Sequence, residues 1–202
     1  MSFRKEKKYR LTISEFYKLK EYLLKDGMNT LHPPRIIHSV YYDSADMRMF
    51  YDSEEGLLPR KKVRVRWYNK NTEKTLEKKM SSIEGRFKVT NQITHQESNK
   101  LLVASNLMDD LYGSLLPCLR VSYKRSYFTL KGIRITFDEE ISYKGIRDGM
   151  RLSKIDPERV VELKVPLEVS DDFIETVLPY PTSRFSKYSR GILMLQGQIS
   201  EI

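Results

Sequence analysis

The chain opens on a period of two. Between positions 4 and 13, Arg4, Glu6, Lys8 and Arg10 alternate with Lys7, Tyr9, Leu11 and Ile13, the pattern of a strand with one charged face. The period then lengthens. Phe16, Leu19 and Leu23 recur at helical spacing behind a capping Ser14, and Asp26-Gly27 ends the helix. His32-Pro33-Pro34 reads as a break in regular structure, residues 36–42 as a strand ending near Asp43, and the stretch holding Gly56 and Pro59 as a loop. Residues 60–68 carry the most regular alternation, with Arg60, Lys62, Arg64 and Arg66 on one face and Lys61, Val63, Val65 and Trp67 on the other.

Two more strands follow, in which Glu77 and Lys79 oppose Leu76 and Lys78, and Arg86 and Lys88 oppose Phe87 and Val89. Thr94 and Glu97 have capping-box spacing ahead of Leu101, Leu102, Leu107 and Leu111, which predicts one or two helices over 95–115. Strands resume at 119–129, with Tyr123, Arg125 and Tyr127 on one face, and at 132–141, with Arg134, Thr136 and Asp138 opposite Ile133, Ile135 and Phe137. A last strand over 159–166 sets Glu162 and Lys164 against Val161, Leu163 and Val165, and helices over 170–178 and about 186–198 close the chain.

For one half-exposed sheet, a charged face is simply the solvent face. Here strand after strand repeats long charges at i and i+2 while the opposite faces are apolar enough to be covered by helices, so the pattern predicts a closed barrel with the charges inside. Charges removed from water are too costly to leave unpaired, so that interior is wet. Converging guanidinium and ammonium groups suit a polyanion, since Arg binds phosphate in bidentate fashion and Lys supplies a mobile point charge. Carboxylates among them either balance the cations or hold a divalent metal that bridges phosphate oxygens.

Composition narrows this picture. With 202 residues, 40% hydrophobic and 31% charged, the chain is expected to fold as a single domain over 1–202. No apolar run approaches the roughly 20 residues of a membrane-spanning helix, and the start MSFRKEKKYR lacks the apolar stretch of a secretory signal. The single Cys118 excludes an internal disulfide and a cysteine-built zinc site, which fits a reducing, cytoplasmic setting. Cys118 and Trp67 are read as packing residues, and the scattered His32, His38 and His95 have no metal-ligand spacing. The net charge of +9 points to an anionic partner.

The residues also carry a family resemblance. Glu6-Lys7-Lys8-Tyr9, Tyr41-Tyr42-Asp43, Val63-Arg64-Val65-Arg66-Trp67-Tyr68, Leu76-Glu77-Lys78-Lys79, Tyr123-Lys124-Arg125, Arg134-Ile135-Thr136-Phe137-Asp138, Val161-Glu162-Leu163-Lys164 and Arg184-Phe185-Ser186-Lys187-Tyr188, in that order, resemble the VTC domain. That is the polyphosphate polymerase domain of the vacuolar transporter chaperone complex. The resemblance covers nearly the whole chain. It implies a triphosphate tunnel fold related to the CYTH phosphohydrolases: α+β, an antiparallel eight-stranded closed β-barrel with helices packed outside and a C-terminal helix. It implies transfer of the terminal phosphoryl group of ATP or another nucleoside triphosphate onto pyrophosphate or polyphosphate, with Mn2+ or Mg2+.

By matching motif, Lys8, Arg64, Arg66, Lys79, Arg125 and Lys187 resemble the family's catalytic cations, with Tyr123 and Ser186 beside them, and Glu162 its metal-binding carboxylate. Arg60, Lys62, Arg134, Lys164 and Arg184 complete the expected phosphate-binding set, and Glu6, Glu77 and Asp138 are weaker metal candidates. Arg184 stands where the catalytic type commonly has Lys, which keeps the charge but changes the geometry. No SPX-like region and no membrane span accompany the domain in this sequence, so translocation of product is not expected. A triphosphate or polyphosphate hydrolase would share every charged residue, and a silent polyphosphate-binding module would bind without turnover. Single-stranded nucleic acid is the less fitting partner, because a groove following a phosphate backbone gains little from inward carboxylates.

Overall fold

The computed structural model describes residues 4–103, 107–147 and 152–199. In chain order the elements are β1 (Arg4–Leu11), α1 (Ile13–Lys25), β2 (Asn29–Asp43), α2 (Arg48–Glu55), β3 (Arg60–Tyr68), β4 (Lys74–Ser82), β5 (Gly85–Ile93), α3 (His95–Val103), β6 (Leu107–Asp109), β7 (Gly113–Leu130), β8 (Ile133–Gly145), β9 (Ser153–Ile155), β10 (Arg159–Pro166), α4 (Asp171–Val177) and α5 (Lys187–Leu195). Every strand pairing is antiparallel. The main path runs β1-β10-β8-β7-β2-β3-β4-β5, with β6 added to β7 and β9 to β8.

These eight strands curl into a half-barrel, and the expected closure is not reached. Among the described residues β1 and β5, the two ends of the path, share no backbone pairing. The ion pair between Glu6 and Arg86, at 4.0 Å, spans the gap instead. Both edge strands point charged side chains inward, Lys8 and Arg10 from β1 and Arg86 and Lys88 from β5, a device that keeps sheet edges from recruiting further strands.

The convex side is dry. Phe16, Leu19 and Leu23 of α1 and Ile174 and Val177 of α4 pack on Tyr9, Leu11, Ile135, Phe137, Val161 and Leu163. Beyond them, Val40, Val63 and Val65 pack with Trp67 and with Leu101 and Leu102 of α3. The helix α5 does not lie outside. Its Tyr188, Ile192, Met194 and Leu195 pack on the inward-facing Leu119, Val121, Ile141, Tyr143 and Val160, filling one end of the concave side. Gly191 permits that approach, since a Cβ there would lie 2.5 Å from Tyr143 Cδ1 and 2.7 Å from Leu119 Cδ2.

Several expected boundaries shift for local reasons. Thr12, not Ser14, caps α1, in a capping box with Glu15. The His32-Pro33-Pro34 segment belongs to β2, which crosses it with register shifts against β7 on either side of His32, so prolines sit where the ladder is already interrupted. The stretch before Gly56 contains α2, whose Met49 and Phe50 N–H groups are accepted by Asp43 at 2.9 Å. The capping box at Thr94 and Glu97 starts α3 as expected, but the helix ends at Val103, residues 104–106 lie outside the described residues, and β6 and the start of β7 occupy 107–115. The helices expected over 170–178 and 186–198 are the shorter α4 and α5, with Ser170 and Ser186 as their caps.

Candidate functional site

The concave face not filled by α5 encloses a cavity of about 1060 Å³. Fifteen Lys and Arg side chains line it against three Glu, an excess larger than the whole chain's net charge of +9. The basicity of this protein is therefore concentrated in one concavity and offset over the rest of the molecule.

Strand register explains the convergence. Inward residues of β3, at every second position, meet those of β4 and β2: Lys62 faces Lys79, Arg64 faces Glu77 and Tyr41, and Arg66 faces Ser39. Across the curl, Lys8 faces Glu162 and Glu6 faces Lys164 on β10, while Arg125 of β7 faces Asp138 of β8. Ser186 and Lys187 come from the first turn of α5, where Ser186 caps the helix and its hydroxyl accepts from Lys62 Nζ at 2.8 Å.

Of the residues expected from the sequence, Lys8, Arg60, Lys62, Arg64, Arg66, Lys79, Tyr123, Arg125, Lys164, Arg184, Ser186, Lys187, Glu162 and Glu6 all line the cavity. Three do not. Arg134 is exposed on β8, in register with Lys164 but beyond the cavity wall. Glu77 and Asp138 lie buried beneath the cations and hold them in place. Glu77 accepts from Arg64 Nε and Lys88 Nζ, each at 2.6 Å. Asp138 accepts from Arg125 Nε at 2.6 Å and Nη2 at 2.7 Å, and from Lys187 Nζ at 2.6 Å.

The electrostatics divide the cations into two kinds. Burial opposes ionisation of Glu77, but Arg64 and Arg66 outweigh it and hold the carboxyl at about 2. Burial likewise opposes Asp138, and Arg125 and Lys187 hold it below the usual range. These four cations are thus anchored by two buried carboxylates, each shared by two of the four. Lys62 and Lys79 are not: burial brings both down to about 8, with Lys8 and Arg60 adding to the effect on Lys62 and Arg64 on Lys79. Two crowded, under-compensated ammonium groups side by side would be stabilised by an anion between them.

Among the described residues no cluster of three or more His, Cys, Asp or Glu could hold a metal alone. Glu6 and Glu162 nevertheless converge on one cation, with Lys164 Nζ 3.4 Å from Glu6 Oε1 and 3.2 Å from Glu162 Oε1. Burial disfavours charge on Glu162, but the Glu6 contact and the charges of Arg125, Lys164 and Lys8 hold it well below the ordinary carboxylate range. Two carboxylates that share one ammonium neighbour can exchange it for a divalent cation, and one or two carboxylates completed by phosphate oxygens is the usual donor set for magnesium. The residues present fit such an ion.

Tyr41 is the main participant that the sequence reading missed. Its hydroxyl accepts from Arg64 Nη1 at 2.8 Å, and its ring stacks on Tyr188 with centroids 5.1 Å apart. Burial would raise the phenol, but Arg64 and Arg66 bring it down to about 8. Arg10, Arg86, Lys88 and Arg190 also line the cavity. Cys118 is fully buried with its thiol pushed up to about 12 by burial, in keeping with a packing role. Trp67 faces outward, stacked on His38 with centroids 5.3 Å apart.

Compared with known proteins, residues 3–196 match the VTC domain. The chain belongs to the VTC domain family. This VTC domain has the triphosphate tunnel fold of the CYTH-like proteins, as its similarity to solved structures shows. It aligns with HpAC1, a candidate adenylyl cyclase from Hippeastrum whose dominant activity is that of a triphosphatase, at a TM-score of 0.60 and 15% identity, covering 98% of both chains. It aligns with a candidate adenylate cyclase from Bacillus halodurans at a TM-score of 0.60 and 14% identity, covering 92% of this chain and 94% of that one. PH1819 from Pyrococcus horikoshii gives a TM-score of 0.54 at 18% identity over 96% and 99%. No curated protein matches the VTC domain chain. Among its described residues no helix is long and apolar enough to cross a membrane.

Proposed function

We propose that this VTC domain is a phosphotransferase that moves the terminal phosphoryl group of a nucleoside triphosphate onto a polyphosphate chain. The observation that carries the reading is the meeting of carboxylate-anchored and crowded, under-compensated cations in one cavity. Arg64, Arg66, Arg125 and Lys187, fixed by Glu77 and Asp138, form a rigid cradle, and the crowded Lys62 and Lys79 supply charge that a bound polyanion would offset.

Phosphoryl transfer needs positioning and charge neutralisation more than covalent chemistry. In this reading the guanidinium groups hold the non-bridging oxygens of the donor, and an oxygen of the acceptor phosphate attacks the terminal phosphorus in line. The bond to the bridging oxygen breaks and a nucleoside diphosphate leaves. The acceptor oxygen is already ionised at neutral pH, so no general base is needed. Glu6 and Glu162 would hold manganese or magnesium, which supplies further neutralisation at the phosphate oxygens.

One observation favours a second reading. The α5 helix fills one end of the concave side, which narrows the route for a long product, and HpAC1, of the same fold, is described as having dominant triphosphatase activity. With water as acceptor the same cradle would hydrolyse a triphosphate.

The test is incubation with manganese and ATP labelled on the terminal phosphate, with Glu162→Gln as the blank. Label in long chains is the expected result. Label released as orthophosphate moves the assignment to hydrolysis, and unreacted ATP despite binding overturns both catalytic readings. Full activity in Glu162→Gln would remove that residue from the metal site.

A further inference from the structure

One inward-facing cluster lies outside the cavity and plays no part in the phosphate cradle. Arg35 of β2 places its guanidinium 5.7 Å from the centroids of both Tyr68 and Tyr127. Arg35 is in register with Arg125, Tyr68 lies two residues beyond Arg66, and Tyr127 two beyond Arg125. Arg35 therefore shares the level of Arg125, while Tyr68 and Tyr127 are the next inward positions after Arg66 and Arg125, about 7 Å further along their own strands. The cluster sits toward the end of the curl opposite α5. Next to it, in register with both Tyr127 and Glu162, the Thr136 hydroxyl is buried and has no hydrogen-bond partner.

The chemistry of this row differs from that of the cavity. None of its four side chains is a carboxylate, its one cation already lies over two aromatic rings, and the tyrosines are half-buried while Arg35 is exposed. A stacked guanidinium with flanking phenols is a platform for a flat, π-rich group, because arginine planes and aromatic rings both stack on nucleobases. The orphaned Thr136 hydroxyl adds a polar contact, as a buried hydroxyl without a partner is costly unless something fills it.

We infer that Arg35, Tyr68 and Tyr127 form the nucleobase platform of the site, with Thr136 as its buried polar contact, so that the donor nucleotide enters base-outward at the end away from α5. This rests on the phosphate reading above and adds the orientation of its substrate. With the base on this row, the phosphates run inward past Arg66 and Arg125, and the terminal phosphate falls toward the Lys62–Lys79 row. The acceptor chain then reaches the Lys62–Lys79 row past Arg60, Arg184 and Ser186, which line the cavity beside the first turn of α5. Stacking reads a ring and not its edge, so the platform favours nucleotides over inorganic triphosphate without choosing among bases.

The test is calorimetric titration of the whole chain in EDTA, which arrests turnover, with ATP, GTP and inorganic triphosphate. Two variants keep the local charge: Arg35→Lys, which removes the planar guanidinium at an exposed position, and Tyr127→Leu, which removes a ring but keeps an apolar body. ATP and GTP are expected to bind the unaltered protein within about twofold of each other. Each variant is expected to weaken both nucleotides about tenfold while inorganic triphosphate changes by less than about twofold. Equal weakening of inorganic triphosphate, or nucleotide binding untouched by Arg35→Lys, overturns the platform. Should Tyr127→Leu not fold, Arg35→Lys alone decides. Failure of inorganic triphosphate to bind the unaltered protein overturns the phosphate reading itself, a separate outcome.

Discussion

Two stretches of the same concave surface, a few strands apart, have opposite characters. Along β3 the inward positions are Arg60, Lys62, Arg64 and Arg66, and they line a wet cavity. Along the first half of β7 the inward positions are Leu119 and Val121, and they lie dry beneath α5. On β7 the change occurs within one strand: after Val121 the inward face passes through Tyr123 to Arg125. The interior of a curled sheet thus has no fixed polarity. What covers each patch decides it, a helix on one side and, in the reading argued above, a polyanion on the other. The wet half keeps its shape through buried counter-charges, and the dry half through close packing around Gly191.

The sharpest way to break the wet half is Asp138→Ala. This leaves Arg125 and Lys187 without their buried partner, and loss of one member of a buried pair costs about 3–5 kcal/mol. Denaturant unfolding should show that loss, with affinity for triphosphate falling as well, since the cradle loses its geometry. Bound triphosphate should restore part of the stability. In the dry half, Gly191→Ala forces a Cβ against Tyr143 and Leu119 and should cost about 1–3 kcal/mol. Its mark is a lower thermal midpoint that triphosphate does not selectively repair.

A third change separates stability from function inside the wet half. The Lys62 ammonium ionises at about 8 in the folded protein, below its ordinary value of 10.5, because burial penalises its charge. The folded state therefore binds fewer protons than the unfolded state between those values, and stability rises with pH across that window. Lys62→Met should stabilise the unliganded protein by an amount on the order of 2 kcal/mol below pH 8. The gain should fade as pH rises toward 10.5, while triphosphate affinity falls at neutral pH. Unfolding curves at pH 7 and pH 10 compare the two limits; an equal effect at both would show that Lys62 carries no desolvation penalty.

How much of this was legible in the chain depended on the range of the signals. The β3 and β10 strands matched their expected ends because period two alone defines them, 60–68 and 159–166. The α2 helix was missed because its first N–H groups are satisfied by Asp43, which sits before the helix at the end of β2, and no local cap marks its start. The strand through Pro33 and Pro34 was missed because proline argues against a ladder and only the partner strand reveals the register shift there. Closure could not be read at all, since alternation tells which face a residue occupies and not whether two distant edges meet. In the site, the cations were visible as charges at every second position. The supporting Tyr41 was hidden among apolar neighbours in Val40-Tyr41-Tyr42, and only its parity with Ser39 and Asp43 pointed inward.

The uneven placement of charge has a consequence at distances well beyond the cavity. A molecule with a large surplus of cations in one hollow, and a net charge smaller than that surplus, has a strong permanent dipole moment directed through its mouth. Its field extends about one Debye length, roughly 8 Å at physiological salt, before screening takes over. An approaching polyanion is drawn to the opening and deflected from the back of the molecule, so encounters are steered before any contact forms and the capture rate falls steeply as salt is added.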